Sequence, residues 1–119
     1  MTDPCQIVRG DICYAVLDPV IGSETGKTRP VLIIQNDIGN RYSPTTIVAI
    51  ITDYSAKKAA YPICVTVEKG QGLKKDSIVN LSQICTIDKK RLMAPKLCTL
   101  SDDVMKRIDE ALKNSLALK

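Results

Sequence analysis

Residues 45–52 (TTIVAIIT) constrain this chain more than any other segment, because every position except Ala49 is β-branched. Such side chains are stiff about χ1, fit poorly in a helical turn and pack well on a pleated surface. Polar and apolar residues do not alternate here, so the segment is expected to be a strand buried on both faces. A strand of that kind needs neighbours, and further apolar runs supply them. Residues 12–17 read as a strand entered from Gly10-Asp11, residues 31–34 as a buried strand opened by Pro30, and residues 62–67 as another. Residues 77–87 (SIVNLSQICTI) read as a long strand, bulged or bent where Asn80, Ser82 and Gln83 interrupt it. Residues 97–100 would add a short last strand.

The segments between these runs read as loops. Residues 19–28 (PVIGSETGKT), 36–44 (NDIGNRYSP), 53–60 and 68–76 are rich in Gly, Pro and polar residues. One helix is expected, at the C-terminal end. Ser101 is a good N-cap, Asp102 and Asp103 sit at the positive end of the helix dipole, and Leu100 can staple onto Met105. Val104, Ile108, Leu112 and Leu116 form one apolar stripe, and Asp102–Lys106, Asp103–Arg107 and Asp109–Lys113 are spaced as i,i+4 ion pairs. Short strands plus one terminal helix indicate a mainly β chain, a compact antiparallel barrel or half-open sheet capped by that helix. At 119 residues it is expected to form one domain, residues 1–119.

What the chain lacks narrows its chemistry. There is no histidine, so no imidazole can act as general acid or base and two-histidine ribonuclease chemistry is excluded. There is no Phe or Trp, which leaves Tyr14, Tyr42, Tyr54 and Tyr61 as the aromatic rings able to stack on bases, too few for an extended platform. Cys5, Cys13, Cys64, Cys85 and Cys98 are odd in number and form no C-x-x-C pair. They read as small buried hydrophobes in a reducing compartment, with no metal site and no disulfide framework. The start of the chain lacks the pattern of a signal peptide and no stretch is long enough to span a membrane, so a cytoplasmic location is expected. A net charge of +4 is compatible with a polyanionic partner.

Taken singly, the polar residues at the strand ends have ordinary explanations: Arg29 as a surface ion-pair partner, Glu24 as a solvated loop residue, Thr52 as a strand residue. Their order says more. Arg9-Gly10-Asp11, Gly22-Ser23-Glu24, the segment Arg29-Pro30-Val31-Leu32-Ile33-Ile34-Gln35-Asn36, Thr52, Ser82-Gln83-Ile84 and Thr86-Ile87-Asp88-Lys89-Lys90-Arg91-Leu92 follow one another at characteristic spacing. With the terminal amphipathic helix, this ordered set resembles the MazF/PemK family of toxin–antitoxin ribonucleases over nearly the whole chain. The resemblance implies an SH3-like, partly open barrel that forms a homodimer. It implies a toxin that cleaves single-stranded mRNA at a short sequence, without the ribosome and without a cofactor, and that is restrained by a MazE-like acidic antitoxin. Its catalytic positions fall on Arg29 and Thr52, with Glu24 implicated in some members, and its substrate groove on Ser23 and Gln83. The branch of the family that uses a catalytic histidine has no counterpart here.

The chemistry can be argued from the residues as well. RNA carries its own nucleophile, the 2′-hydroxyl, and in-line attack leaves a 2′,3′-cyclic phosphate and a 5′-hydroxyl. Arg29 suits neutralisation of the phosphorane, since its planar fork binds two phosphate oxygens at once. The Thr52 hydroxyl can donate to a further oxygen. A guanidinium holds its proton tightly, so Glu24, if partial burial raises its pKa, is the easier general base. Tyr54 and Tyr61 flank the loop after Thr52 and could stack bases, and Lys57 could follow a phosphate backbone, as could other loop lysines. Two other readings stay open on sequence alone: a CcdB-like toxin that binds gyrase on the same scaffold, and a module that binds RNA and leaves it intact. Since no metal enters this scheme, RNA cleavage is expected to proceed undiminished in excess EDTA. Loss of activity in chelator, with recovery on adding magnesium, would contradict the scheme.

Overall fold

The computed structural model describes residues 6–17, 27–70 and 72–119. Among these residues six strands form one sheet: β1 (Asp11–Val16), β2 (Thr28–Ile33), β3 (Thr45–Asp53), β4 (Cys64–Val67), β5 (Ser77–Asp88) and β6 (Leu92–Thr99). The helices are α1 (Asp37–Tyr42), α2 (Ala56–Ala59) and α3 (Asp102–Leu116), and a 3-10 turn at Lys89–Arg91 joins β5 to β6. Strand order is β4-β5-β3-β2-β1-β6 with every pairing antiparallel. The two end strands, β4 and β6, are not paired with each other, so the sheet stays open. This is the partly open, helix-capped β architecture expected of the chain.

β3 lies inside the sheet and is buried on both faces, as its composition requires. Ala49 and Ile51 enter a core with Ile12, Leu32, Val79 and Leu81, covered by Ile108 and Ala111 of α3. Val48 and Ile50 enter a second layer with Cys13, Val31 and Ile33. Ile7, the far end of β5 at Ile87 and the start of β6 at Leu92 cover that layer. A bent β5 therefore serves both layers, and the bend is the irregularity its polar residues foretold.

The segment Arg9-Gly10-Asp11 locks the layers together. Asp11 is fully buried; its carboxylate accepts from Thr99 Oγ1 at 2.6 Å, Val8 N–H at 2.9 Å and Lys96 Nζ at 3.2 Å. Arg9 donates through Nε to the Ile34 carbonyl and through a guanidinium nitrogen to Asp109 of α3 at 2.6 Å, while its N–H donates to Asp37 of α1. Gly10, at φ +99, passes its N–H to Ile33 and takes the N–H of Leu100 on its carbonyl.

Several expectations need correction. Residues 36–44 are not simply a turn: Asn36 caps α1, its side chain accepting from Gly39 N–H, and Asn40 fills a buried polar site with Thr46 and Gln35. Residues 53–60 contain α2, capped by Ser55. The last strand starts at Leu92 rather than residue 97: Leu92 and Met93 already pair with Ala15 and Tyr14, and an irregular, mostly exposed stretch over 94–97, which carries no apolar pattern, separates them from the pairs at Cys98 and Thr99. On α3, Asp109 pairs with Arg9 instead of Lys113, which turns to Glu110, and Asp102 and Asp103 form no ion pair with Lys106 or Arg107. Exposed i,i+4 pairs contribute only about 0.3–0.5 kcal/mol, so a tertiary partner readily displaces them. Of the stripe, Leu116 stays half-exposed and Ala111 is buried in its place. The 19–28 loop lies largely outside the described residues.

The loop between β4 and β5 reaches across to β6. Gly72, at φ +92, lies so close to β6 that an added Cβ would fall 2.5 Å from the Leu97 carbonyl oxygen, whereas Gly70, at φ +111, has open space around it. Gly70→Ala is expected to lower stability by about 1–2 kcal/mol, from backbone strain alone. Gly72→Ala adds a backbone collision and should cost clearly more. Urea denaturation of the two variants checks the order; equal losses would mean that the loop does not seal against β6.

Candidate active site

Neighbouring strands carry Arg29 and Thr52. In the β2–β3 ladder Val31 faces Ile50 and Ile33 faces Val48, and continuing that register two residues places Arg29 opposite Thr52. Side chains alternate along a strand, so Arg29, Val31 and Ile33 share one face, as do Val48, Ile50 and Thr52. The second apolar layer thus ends in a polar pair. On their outer sides Arg29 faces Ala15 of β1 and Thr52 faces Ile78 of β5, both fully buried. Pro30 lies within β2, opposite Tyr14, and the β2–β3 pairing starts only at Val31, so the missing N–H disturbs no rung of that ladder.

The Thr52 hydroxyl is the unusual atom of this row. Oγ1 is buried and has no hydrogen-bond partner among the described residues. Buried polar side chains are nearly always paired, and leaving one unpaired costs about 1–3 kcal/mol. Valine would satisfy the strand equally well, so packing does not account for threonine. The hydroxyl is available to donate to a group held against Arg29.

Cations collect at this end of the sheet. Val16 pairs with Thr28, and the Val16 carbonyl accepts from the Arg91 guanidinium at 3.0 Å. Lys27 precedes β2 with φ +66, and its carbonyl takes the N–H of Leu17 at 2.8 Å. Lys27, Arg29 and Arg91 therefore converge on the end of the β1–β2 pair. Ser23 and Glu24 lie outside the described residues.

The remaining candidates are distributed along β5 and the β3–β4 connection. Tyr54 follows Thr52 directly after β3, half-exposed, with its N–H on the Asp76 carbonyl. Lys57 and Tyr61 belong to the α2 turn beside β4, two strands from Thr52, where Asn114 of α3 donates to the Pro62 carbonyl. Gln83 is exposed on an irregular stretch of β5. Asn80, on the same strand, did not stand out in the sequence beyond being polar in an apolar run. Its Oδ1 accepts from Ser82 N–H at 2.9 Å and Ser82 Oγ at 2.6 Å.

The cysteines are less uniform than expected. Cys13 is a buried hydrophobe, but Cys64 and Cys98 are partly exposed and Cys85 is exposed; Cys5 lies outside the described residues. Burial pushes the Cys64 thiol up against the opposing pull of Lys58, and burial together with Asp11 pushes up that of Cys98. Both are held as neutral thiols rather than metal-ready thiolates. Among the described residues no three His, Cys, Asp or Glu side chains converge as ligands, and no helix is long and apolar enough to cross a membrane.

The family described as PemK-like, MazF-like toxin of type II toxin–antitoxin system matches residues 8–116. The chain is 53% identical to endoribonuclease EndoA of Bacillus subtilis over 113 residues, which cover 94% of this chain and 96% of that one. Among solved structures it is similar to the Mycobacterium tuberculosis toxin MazF-mt6, with 26% identity and a TM-score of 0.76 over 92% of this chain and 98% of that one. A mycobacterial endoribonuclease in complex with its cognate antitoxin shares the fold, with 23% identity and a TM-score of 0.77 over 95% of this chain and 97% of that one.

Replacing an unpaired buried hydroxyl by a methyl group removes a cost and creates no cavity. Thr52→Val is therefore expected to hold or raise the unfolding free energy, by up to about 1 kcal/mol, even though it deletes a polar group from the site. Chemical denaturation checks this. A clear loss of stability would show that the hydroxyl has a structural partner.

Proposed function

Because the chain belongs to the PemK-like, MazF-like toxins of type II toxin–antitoxin systems, we propose that it is an endoribonuclease that cuts single-stranded mRNA at a short sequence. It acts without the ribosome or a metal, leaves 2′,3′-cyclic phosphate and 5′-hydroxyl ends, and so arrests translation and growth. The observation that carries this reading is the buried Thr52 hydroxyl, without a hydrogen-bond partner among the described residues, on the strand face to which the β2–β3 register extends Arg29.

The proposed mechanism follows from what these groups can do. The 2′-hydroxyl attacks the adjacent phosphorus in line with the departing 5′-oxygen, and negative charge builds on the equatorial oxygens. Arg29 meets two of them with parallel N–H donors, and Thr52 Oγ1 donates to another from a site sheltered from water, where such donors count most. Lys27 and Arg91 supply the field that draws a polyanion to this end of the sheet. Glu24 takes the proton from the 2′-hydroxyl. Ser23, Gln83, Tyr54, Lys57 and Tyr61 contact the RNA on either side of the scissile bond.

The same reading extends to partners. An acidic antitoxin segment lies over this cationic end and excludes RNA, a reading supported by a mycobacterial relative whose structure is of a complex with its cognate antitoxin. The chain works as a single domain over residues 1–119, in the cytoplasm, as a homodimer. The exposed apolar side chains of Val16 and Met93 on the neighbouring strands β1 and β6 suit burial by a second copy.

Arg29→Lys tests the centre of this proposal. Lysine keeps the charge but not the fork, so single-turnover cleavage should fall by roughly 10²–10³, the usual cost of losing one donor aimed at transition-state charge. Affinity for RNA bearing a 2′-deoxy residue at the scissile step should change much less, because ground-state charge is still met. Near-normal cleavage would move the catalytic centre elsewhere. RNA bound but left intact by the unmodified protein would make the chain a binding module instead.

A further inference from the structure

We infer that Asn80 is a specificity-determining residue of this site, its carboxamide NH2 reading a hydrogen-bond-accepting base edge beside the scissile phosphate. The inference rests on the endoribonuclease reading above and goes beyond the cleavage chemistry to the choice of sequence.

In the β3–β5 ladder Thr52 faces Ile78 and Ile50 faces Asn80. Paired residues share a face, so Asn80 lies on the face of Thr52 as its diagonal neighbour, with Cα atoms about 7–8 Å apart. Its neighbours Ser77, Ile78, Val79 and Leu81 are all buried, and Asn80 alone in this run is half-buried. Asparagine is depleted from strand interiors. Its partner in β4 is Cys64, small and partly exposed.

Orientation follows from the irregularity next to it. Between the pairs Ala49↔Ile84 and Ile50↔Asn80, β3 advances one residue while β5 advances four, so Leu81, Ser82 and Gln83 are extra. Leu81 turns into the core and passes its N–H to the Ile63 carbonyl, while Ser82 and Gln83 stay exposed. Ser82 directs both its N–H and its hydroxyl at Asn80 Oδ1. A backbone N–H can only donate, so the oxygen must face Ser82 and the amide cannot be flipped. Nδ2 is left pointing away with no partner among the described residues, a donor fixed in advance of any ligand.

The chemistry of recognition is then one-sided. With Oδ1 occupied, Asn80 cannot make the two-way contact by which a free asparagine donates to adenine N7 and accepts from N6. It offers hydrogens only. The complementary edges are guanine O6/N7, cytosine O2/N3 and the uracil carbonyls O2 and O4, whereas an adenine amine facing it would meet donor with donor.

The test uses the intact protein and its Asn80→Ala and Asn80→Asp variants, each shown to melt as the unmodified chain does. An RNA pool with a randomised segment is cut and its new 5′-hydroxyl ends are sequenced. Cleavage rates follow on the best oligonucleotide and its single-base variants. The unmodified protein should prefer an acceptor-edge base at one position near the cut. Asn80→Ala should reduce discrimination at that position by roughly five- to tenfold, the value of one hydrogen bond, with the others unchanged. Asn80→Asp keeps an oxygen for Ser82 but replaces the donor by an acceptor, so preference at that position should move to a base presenting an amine. A purely structural brace predicts instead that Asn80→Asp retains the original preference, and that result, or unchanged ratios in both variants, overturns the inference. If the unmodified protein cuts no RNA, the endoribonuclease reading itself fails, which the first measurement reveals before any variant is compared.

Discussion

The buried carboxylate of Asp11 is the constraint on which the rest of the structure depends. A carboxylate at zero exposure persists only if its lone pairs are met, and here a hydroxyl from β6, a backbone N–H and a lysine meet them. Those partners fix where β6 runs beside β1. Arg9, two residues earlier, does the same outward, tying the end of β2 to α1 and α3. Between them Gly10 threads its backbone into two hydrogen bonds from a conformation that other residues rarely adopt. Three consecutive residues thus decide how β6 runs beside β1 and how the terminal helix covers the sheet.

Once the sheet is set, the candidate site is a matter of register. Arg29 and Thr52 are separated in sequence by a whole helix and most of two strands, yet antiparallel pairing continued from Val31↔Ile50 sets them opposite each other. A one-residue slip would send both side chains to the other face. The apolar layer of Val31, Ile33, Val48 and Ile50 resists that slip, since it would drive these side chains into the opposite core, already filled by Leu32, Ala49 and Ile51. Hydrophobic burial therefore holds a polar pair in place, and an unpaired hydroxyl is tolerated because its neighbours are so firmly packed.

β5 shows how one strand serves both stability and recognition. Its first half pairs with β3 and β4 and fills the core, its second half pairs with β3 again and covers the opposite layer. The join needs extra residues, and these project Ser82 and Gln83 from the surface. Bulges commonly sit beside functional sites because they re-aim side chains without dissolving the sheet.

Sequence alone determined the strands and the terminal helix wherever a local signal was strong. The β-branched run of β3, the broken apolar run of β5 and the Ser101 cap of α3 each express a preference that tertiary packing then reinforces. The ordered motifs also pointed to Arg29 and Thr52. Tertiary structure decided what has no local signature. α1 and α2 are too short for periodicity to reveal, and β6 is an exposed edge on which no apolar pattern is required. Asp109 faced a choice between Lys113 on its own helix and Arg9 a hundred residues away, and the partly buried guanidinium took it. The face on which Arg29 meets Thr52, and the direction of the Asn80 amide, likewise depend on pairings between distant strands, which no window of sequence contains.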